Sequence, residues 1–214
     1  MADDVERRIG EQLSSNYRVL SALGRSSSSH ALGSGFLSWL ISPDVSASDD
    51  SFAPNTDELL AHNARYVESF VDHDLALQPR RRLAVVACMD SRMDIFEMLG
   101  LAHGDAHIIR NAGGIVTDDV VRSLVLSQRL LGTREILLVH HTDCGMQRLI
   151  GDTLKDAIEA ETGLRPGWAF EGFKDPHQNV RQSIRRLQIN PFIQHKEHIR
   201  GFVYRVEDGQ LDEA

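Results

Sequence analysis

Two stretches, LAVVACMDSR (residues 83–92) and EILLVHHTDC (residues 135–144), each run from an unbroken apolar segment straight into chemically reactive side chains. Short continuous runs of Leu, Ala and β-branched residues are the pattern of strands covered on both faces, as inside a parallel sheet. Residues 107–110 (HIIR) have the same character. Between this run and the 135–144 stretch lies DDVVRSLVLSQRLL (118–131), which opens on two acids, repeats apolar residues at helical spacing and ends before Gly132. Those are helix start and stop signals, so the order strand, helix, strand reads as a βαβ unit.

Working outward, residues 146–168 read as helix and loop. Residues 176–187 (PHQNVRQSIRRL) read as a helix with Pro near its start, ended before Pro191. Residues 198–206 (HIRGFVYRV) read as a further strand, turned by Asp208-Gly209 toward a short tail. Upstream, Thr56 is read as the cap of a helix whose Leu59, Leu60, Tyr66, Val67 and Phe70 recur at about 3.6-residue spacing, and this helix is expected to pack. No internal repeat is present. The alternation predicts an α/β fold with a mostly parallel central sheet flanked by helices, in which ligands bind beyond the carboxyl ends of the strands.

Residues 1–55 are a different material, holding 13 of the 18 serines. They read as a Ser-rich, partly flexible N-terminal extension, and residues 56–214 as the folded domain. Within the extension, 5–23 has weak helical spacing, and Phe36-Leu37-Ser38-Trp39-Leu40-Ile41 is too apolar for an ordinary linker. That apolar stretch either docks on the domain or a partner subunit, or reflects disorder or a misplaced start codon.

With 23 basic against 31 acidic residues the net charge is −8, so no basic field exists to attract nucleic acid or an anionic membrane, and neither is expected as a partner. No apolar stretch approaches the ~20 residues of a bilayer span, and the charged start MADDVERRIGEQ lacks a signal-like core. A cytoplasmic location is expected. There the two cysteines, Cys88 and Cys144, stay thiols, which points to metal, catalysis or simple burial.

Cys88 is followed by Asp90 and Arg92, and Cys144 is preceded at i−3 by His141. Two thiolates, an imidazole and a carboxylate are the ligand types that Zn²⁺ takes in tetrahedral sites. Neighbouring parallel strands lie ~4.8 Å apart, so groups at their ends can converge on one ion. Taken singly, each residue has a plainer reading. A Cys ending a buried strand is commonly a small hydrophobe, and Asp90 with Arg92 would be a surface ion pair. A Cys88–Cys144 disulfide would leave His141, Asp90 and Arg92 without a function. That both cysteines end apolar runs, each with such neighbours, favours metal.

The pair Cys88-x-Asp90-x-Arg92 and His141-x-x-Cys144 resembles the zinc motif of the β-class carbonic anhydrases. The resemblance extends through His107-Ile108-Ile109-Arg110-Asn111-Ala112-Gly113-Gly114, similar to that family's glycine-containing active-site loop, and through Gly201-Phe202-Val203-Tyr204. It spans roughly residues 56–211. It implies a β-carbonic-anhydrase-like fold, a homodimer or homotetramer, and one Zn²⁺ per chain on Cys88, His141 and Cys144. Asp90 and Arg92 would be the catalytic dyad, and the backbone of Asn111, Ala112, Gly113 and Gly114 would line the substrate pocket. The implied reaction converts CO2 and water to bicarbonate through hydroxide generated on zinc. In a closed state Asp90 would be the fourth ligand; in an open state it would pair with Arg92. Two thiolates already neutralise the dication, so catalysis needs Asp90 off the metal.

Two alternatives remain at this point. Relatives with the same fold and ligands hydrolyse carbonyl sulfide or carbon disulfide, and their motifs do not separate them; a non-catalytic zinc-stabilised domain would be favoured if Asp90 or Arg92 were absent, and both are present. Arg205 departs from the family, which often has an acid there. His103 and His107 read as structural rather than as proton relays, and Arg80-Arg81-Arg82 as a solvated strand entrance. Asp143 is assigned nothing beyond shaping its turn.

Overall fold

The computed structural model describes residues 53–214, so the readings of residues 5–23 and 36–41 lie outside the described residues. The apolar runs form β1 (Leu83–Cys88), β2 (Ala106–Asn111) and β3 (Glu135–His141), and the later run forms β4 (His198–Tyr204). These four strands are parallel in the spatial order β2-β1-β3-β4. A short β5 (Leu211–Glu213) pairs antiparallel with β4 at the edge. Every residue of β1 is buried. β2 differs from expectation: it is the outermost strand, so its residues are only half-buried and Arg110 is exposed.

β5 was not anticipated, because three residues are too few to show a strand period. The chain after Asp208-Gly209 turns back instead of trailing off. Arg205 N–H donates to Gln210 O at 2.8 Å, Gly209 N–H donates to Arg205 O at 2.8 Å, and the Arg205 guanidinium pairs with Asp208 at 2.8 Å. The residue that departs from the family pattern therefore holds this hairpin.

Among the described residues five α-helices accompany the sheet: α1 (Thr56–Glu68), α2 (Ile95–Leu99), α3 (Asp118–Arg129), α4 (Gly151–Thr162) and α5 (Pro176–Ile189). The α3 start is capped by Thr117, whose hydroxyl accepts from Val120 N–H, with Asp118 and Asp119 beside the positive end of the helix dipole. Asp175 caps α5 by accepting from His177 and Gln178 N–H, and Pro176 takes the first helical position. Val120 and Leu124 of α3 and Leu187 of α5 pack with Ala84, Val86, Ile136 and Leu138 on one sheet face. Val85, Ala87 and Val139 face the other way, onto Met93, Ile95, Ile115 and Phe173. Gly201 makes the α5 packing possible, since a Cβ there would lie 2.1 Å from Val180 Cγ1. No helix among the described residues is long and apolar enough to cross a membrane.

α1 corrects two expectations. Thr56 is its first helical residue, and the N-cap is Asn55 without a side-chain bond. The helix also buries none of its residues: Leu59, Leu60 and Val67 are 61%, 62% and 63% exposed. Its apolar spacing forms the helix but meets no partner among the described residues.

At the end of the sheet opposite the candidate site, buried Asp105 joins the approaches to β1 and β2. Its carboxylate accepts from Ala102 N–H (2.9 Å), Arg80 Nε (3.1 Å) and Arg81 Nε (3.1 Å). The Ala102 N–H and the two guanidiniums outweigh burial and hold Asp105 below the usual carboxylate range. A carboxyl whose folded-state pKa is depressed adds stability above its unfolded value of ~3.9, and that contribution is lost as pH falls through the folded pKa. Asp105→Asn is expected to lower the melting temperature at pH 7 by about 2–5 °C. The gap to wild type should shrink below about pH 4 when both are followed by calorimetry.

Candidate metal centre and active site

Cys88 ends β1 and His141 ends β3, the two central strands, whose parallel register sets Ala87 opposite Val139. Both chains therefore leave the sheet side by side at its carboxyl edge. Asp143 then adopts the left-handed conformation (φ 51°), which Asp tolerates better than most residues, and this turn brings Cys144 back toward Cys88. One ligand atom each of Cys88, His141 and Cys144 lies within 4.8 Å of the others, and all three residues are buried. Among the described residues this is the only such group.

The local bonding prepares these side chains. His141 Nδ1 lies 2.7 Å from Thr142 O, so Nδ1 carries the proton and donates, leaving Nε2 with its lone pair. That Nε2 is buried and has no hydrogen-bond partner. Cys144 N–H donates to Gln147 Oε1 at 2.9 Å, which secures the turn behind the thiol. The neighbouring Cys144 thiol stabilises the Cys88 thiolate more than burial opposes it, and with help from His141 and the backbone of Asp90 and Gly113 draws Cys88 down to about 4. The same contact with Cys88, reinforced by burial, pushes Cys144 up. Burial disfavours the His141 imidazolium, but the Cys88 thiolate, the Thr142 carbonyl and Asp90 together outweigh it and move His141 upward. Two sulfurs and an imidazole nitrogen converging in an apolar setting suit a soft, borderline dication such as Zn²⁺.

Asp90 and Arg92 stand on the loop after β1. Arg92 grips Asp90 with one edge of its guanidinium, as a fork: Nε donates to Oδ1 at 2.9 Å and Nη2 to Oδ2 at 2.8 Å, while Arg92 N–H donates to Oδ1 at 2.9 Å. These bonds hold the Asp90 carboxyl well below the usual carboxylate range and raise Arg92. Asp90 Oδ2 lies 3.6 Å from His141 Nε2, at the rim of the ligand group and turned toward Arg92.

The Asn111–Gly114 loop packs against this edge. Asn111 closes it with both ends of its amide: Nδ2 donates to Ile115 O at 2.8 Å and Oδ1 accepts from Ile115 N–H at 2.9 Å. Gly114, at φ 67°, presses its backbone onto β1 and β3. A Cβ there would lie 2.8 Å from Cys88 N, 2.9 Å from Ala87 C and 3.1 Å from Val139 O. Only glycine satisfies both demands.

Two participants were not singled out from sequence. Arg110 Nε donates to Cys88 O (2.8 Å) and its Nη2 to Asp90 O (2.6 Å), holding the loop that carries ligand and carboxylate. Asp143 reaches Arg92 and Arg148. The available signals were an Arg at the end of a strand just before the glycine loop, and an acid flanked by two candidate ligands. His103 and His107 stay outside the site. His103 Nδ1 pairs with Asp72 at 2.7 Å and His107 Nδ1 with Ser127 Oγ at 2.8 Å. His107 lies four residues before Asn111 along β2, roughly 13 Å by strand rise.

Fold and site define an α/β protein with a thiolate–imidazole metal-binding group at the carboxyl edge of a parallel sheet. The family profile described as carbonic anhydrase matches residues 83–211. Beta-carbonic anhydrase 1 of Mycobacterium tuberculosis is 52% identical over 159 residues, covering 74% of this chain and 97% of the relative. The crystal structure of a carbonic anhydrase from Streptococcus mutans superposes with a TM-score of 0.71 at 40% identity, covering 76% of this chain and 98% of that one. A carbon disulfide hydrolase of Acidianus sp. is 39% identical, covering 61% of this chain and 76% of its own. The chain belongs to the β-class carbonic anhydrase family.

The Gly114 contact yields a direct test. Gly114→Ala is expected to destabilise the protein by about 2–4 kcal/mol in denaturant unfolding, since strain at positive φ adds to a backbone clash.

Proposed function

We propose that this protein is a zinc enzyme that catalyses the reversible hydration of CO2 to bicarbonate. The observation that carries the reading is the buried Cys88, His141 and Cys144 group, with its unpaired His141 Nε2, standing beside the Arg92-held carboxylate of Asp90. Cys88, His141 and Cys144 would hold one Zn²⁺ per chain. When bound, zinc supplies a Lewis acid and lowers the pKa of its water toward ~7, a reference value established on carbonic anhydrases themselves.

The chain's own residues account for direction. Asp90, kept ionised by Arg92, can only accept at Oδ2, so it takes a hydrogen bond from the attacking water or hydroxyl and turns that oxygen's lone pair toward the carbon of CO2. Arg92 holds Asp90 Oδ2 3.6 Å from His141 Nε2; released from Arg92, the carboxylate would be a fourth ligand and close the site. The Asn111–Gly114 backbone supplies a wall without side-chain bulk. Arg110 fixes the carbonyls on either side of Met89 and so the distance from Cys88 to Asp90.

The carbon disulfide hydrolase relatives support a second reading on the same residues, because CS2 is also linear and electrophilic at carbon. Stopped-flow CO2 hydration by purified, metal-quantified protein, run beside hydrolysis of CS2 and COS, separates the readings. Turnover of none of them by zinc-loaded protein would leave only the non-catalytic domain. The apolar residues that α1 exposes support the expected homodimer or homotetramer, in which a second copy covers them.

Elemental analysis should find about one zinc per chain in wild type and a small fraction of that in Cys88→Ser and Cys144→Ser. A fall in melting temperature should accompany the loss, because metal-binding energy is also folding energy.

Asp90→Asn and Arg92→Ala should keep zinc and lose about 10²-fold or more in turnover, the scale for losing positioned proton handling. Wild-type rates in both would remove the dyad from the mechanism.

A further inference from the structure

Arg92 uses only one side of its guanidinium on Asp90. The other side faces the second ligand loop: Nη1 donates to Asp143 Oδ2 at 3.2 Å and Nη2 to Asp143 O at 3.2 Å. Asp143 in turn accepts from Arg148 Nη2 at Oδ1, at 2.7 Å. Charges thus alternate along Asp90, Arg92, Asp143 and Arg148, so the second carboxylate on Arg92 is itself balanced. The contact spans 51 residues of sequence and ties the loop after β1 to the loop after β3.

The backbone at Asp143 serves the same end. At φ 51° it is one of three non-glycine residues with positive φ among those described, and such a conformation costs free energy that surrounding contacts must hold in place. With Asp143 and Arg92 both close to half exposed, these ion pairs add little to stability, so what they offer is orientation.

We propose that Asp143 is a positioning residue of the reaction: from the β3 loop it grips the far edge of Arg92 and fixes the direction in which Asp90 presents its carboxylate. This rests on the CO2-hydration reading and on the Asp90–Arg92 dyad. A guanidinium held at one edge can pivot about Asp90; held at both, it is a fixed fork. Asp143 touches no reacting atom and acts through Arg92.

The test is a double-mutant cycle on zinc-loaded protein, with kcat and KM for CO2 hydration measured in wild type, Asp143→Asn, Arg92→Ala and the double variant. Asn accepts the left-handed turn and removes the charge. Asp143→Gly keeps the turn and removes the side chain, which guards against a misfolded single variant. Both Asp143 variants are expected to keep full zinc content and a melting temperature within about 2 °C of wild type. Each should lower kcat about tenfold to a hundredfold with KM little changed. Asp143→Asn should add no further loss in the Arg92→Ala background.

A second readout avoids catalysis. In zinc-loaded protein, NMR should resolve the Nη resonances of Arg92 in wild type and show them averaged by rotation in Asp143→Asn. Full kcat in both Asp143 variants while Arg92→Ala is slow would overturn the proposal, as would an equal loss in both backgrounds or activity lost in proportion to zinc. A wild-type rate in Arg92→Ala would defeat the dyad itself; the NMR comparison would still report whether Asp143 holds Arg92, keeping the two failures apart.

Discussion

Parallel hydrogen bonding between β1 and β3 sets Leu83 opposite Glu135 and Ala87 opposite Val139, so Cys88 and the residues after His141 emerge at the same edge of the sheet. An antiparallel pair would send these loops to opposite ends. Strands ~4.8 Å apart bring the ends of β1 and β3 close together, and the turns that follow complete the convergence of Cys88, His141 and Cys144. Gly114 adds to this by pressing its backbone against the Ala87–Cys88 peptide and the Val139 carbonyl at once. The site depends on this one edge, and most of the apolar core exists on either face of the two strands that make it.

Around the ligand group the polarity changes in layers. Cys88, His141 and Cys144 are buried among apolar residues, where uncompensated charge is costly and a dication is the natural complement. One layer out, Asp90 is mostly buried, and Arg92, Asp143 and Arg148 are about half exposed. Ion pairs at such exposure contribute little to folding but restrict direction well, since a forked guanidinium accepts few geometries. In the proposed zinc enzyme, burial would serve metal affinity and the exposed pairs would serve aim.

Much of this was legible from residue order. Unbroken apolar runs marked β1 and β3, and the two leading acids and Gly132 bounded α3 to within two residues, whereas the Thr117 cap came only from the structure. The ligand residues stood out because both cysteines ended such runs. The failures have physical causes. Residues 107–110 looked like a covered strand, but β2 is the outer strand, and the number of neighbours a strand has is not written in its own pattern. α1 had helical periodicity that encodes an apolar face but not what meets it. β5 was too short to register, and its hairpin relies on Arg205, Asp208 and Gln210 finding one another after the turn.

What the sequence by itself determined is the chemistry available: two thiols, an imidazole, a carboxylate with an arginine two residues on, and a glycine loop, each at the end of an apolar run. Local interactions suffice for that, because strand and helix patterns and an i to i+2 pairing are written within a few residues. Only the tertiary structure decided that Asp143 meets Arg92, that Arg110 holds the carbonyls of Cys88 and Asp90, and that Gly114 must lack a side chain. These contacts join segments about 20 to 50 residues apart, and their partners are selected by strand order and loop direction, which no local pattern carries.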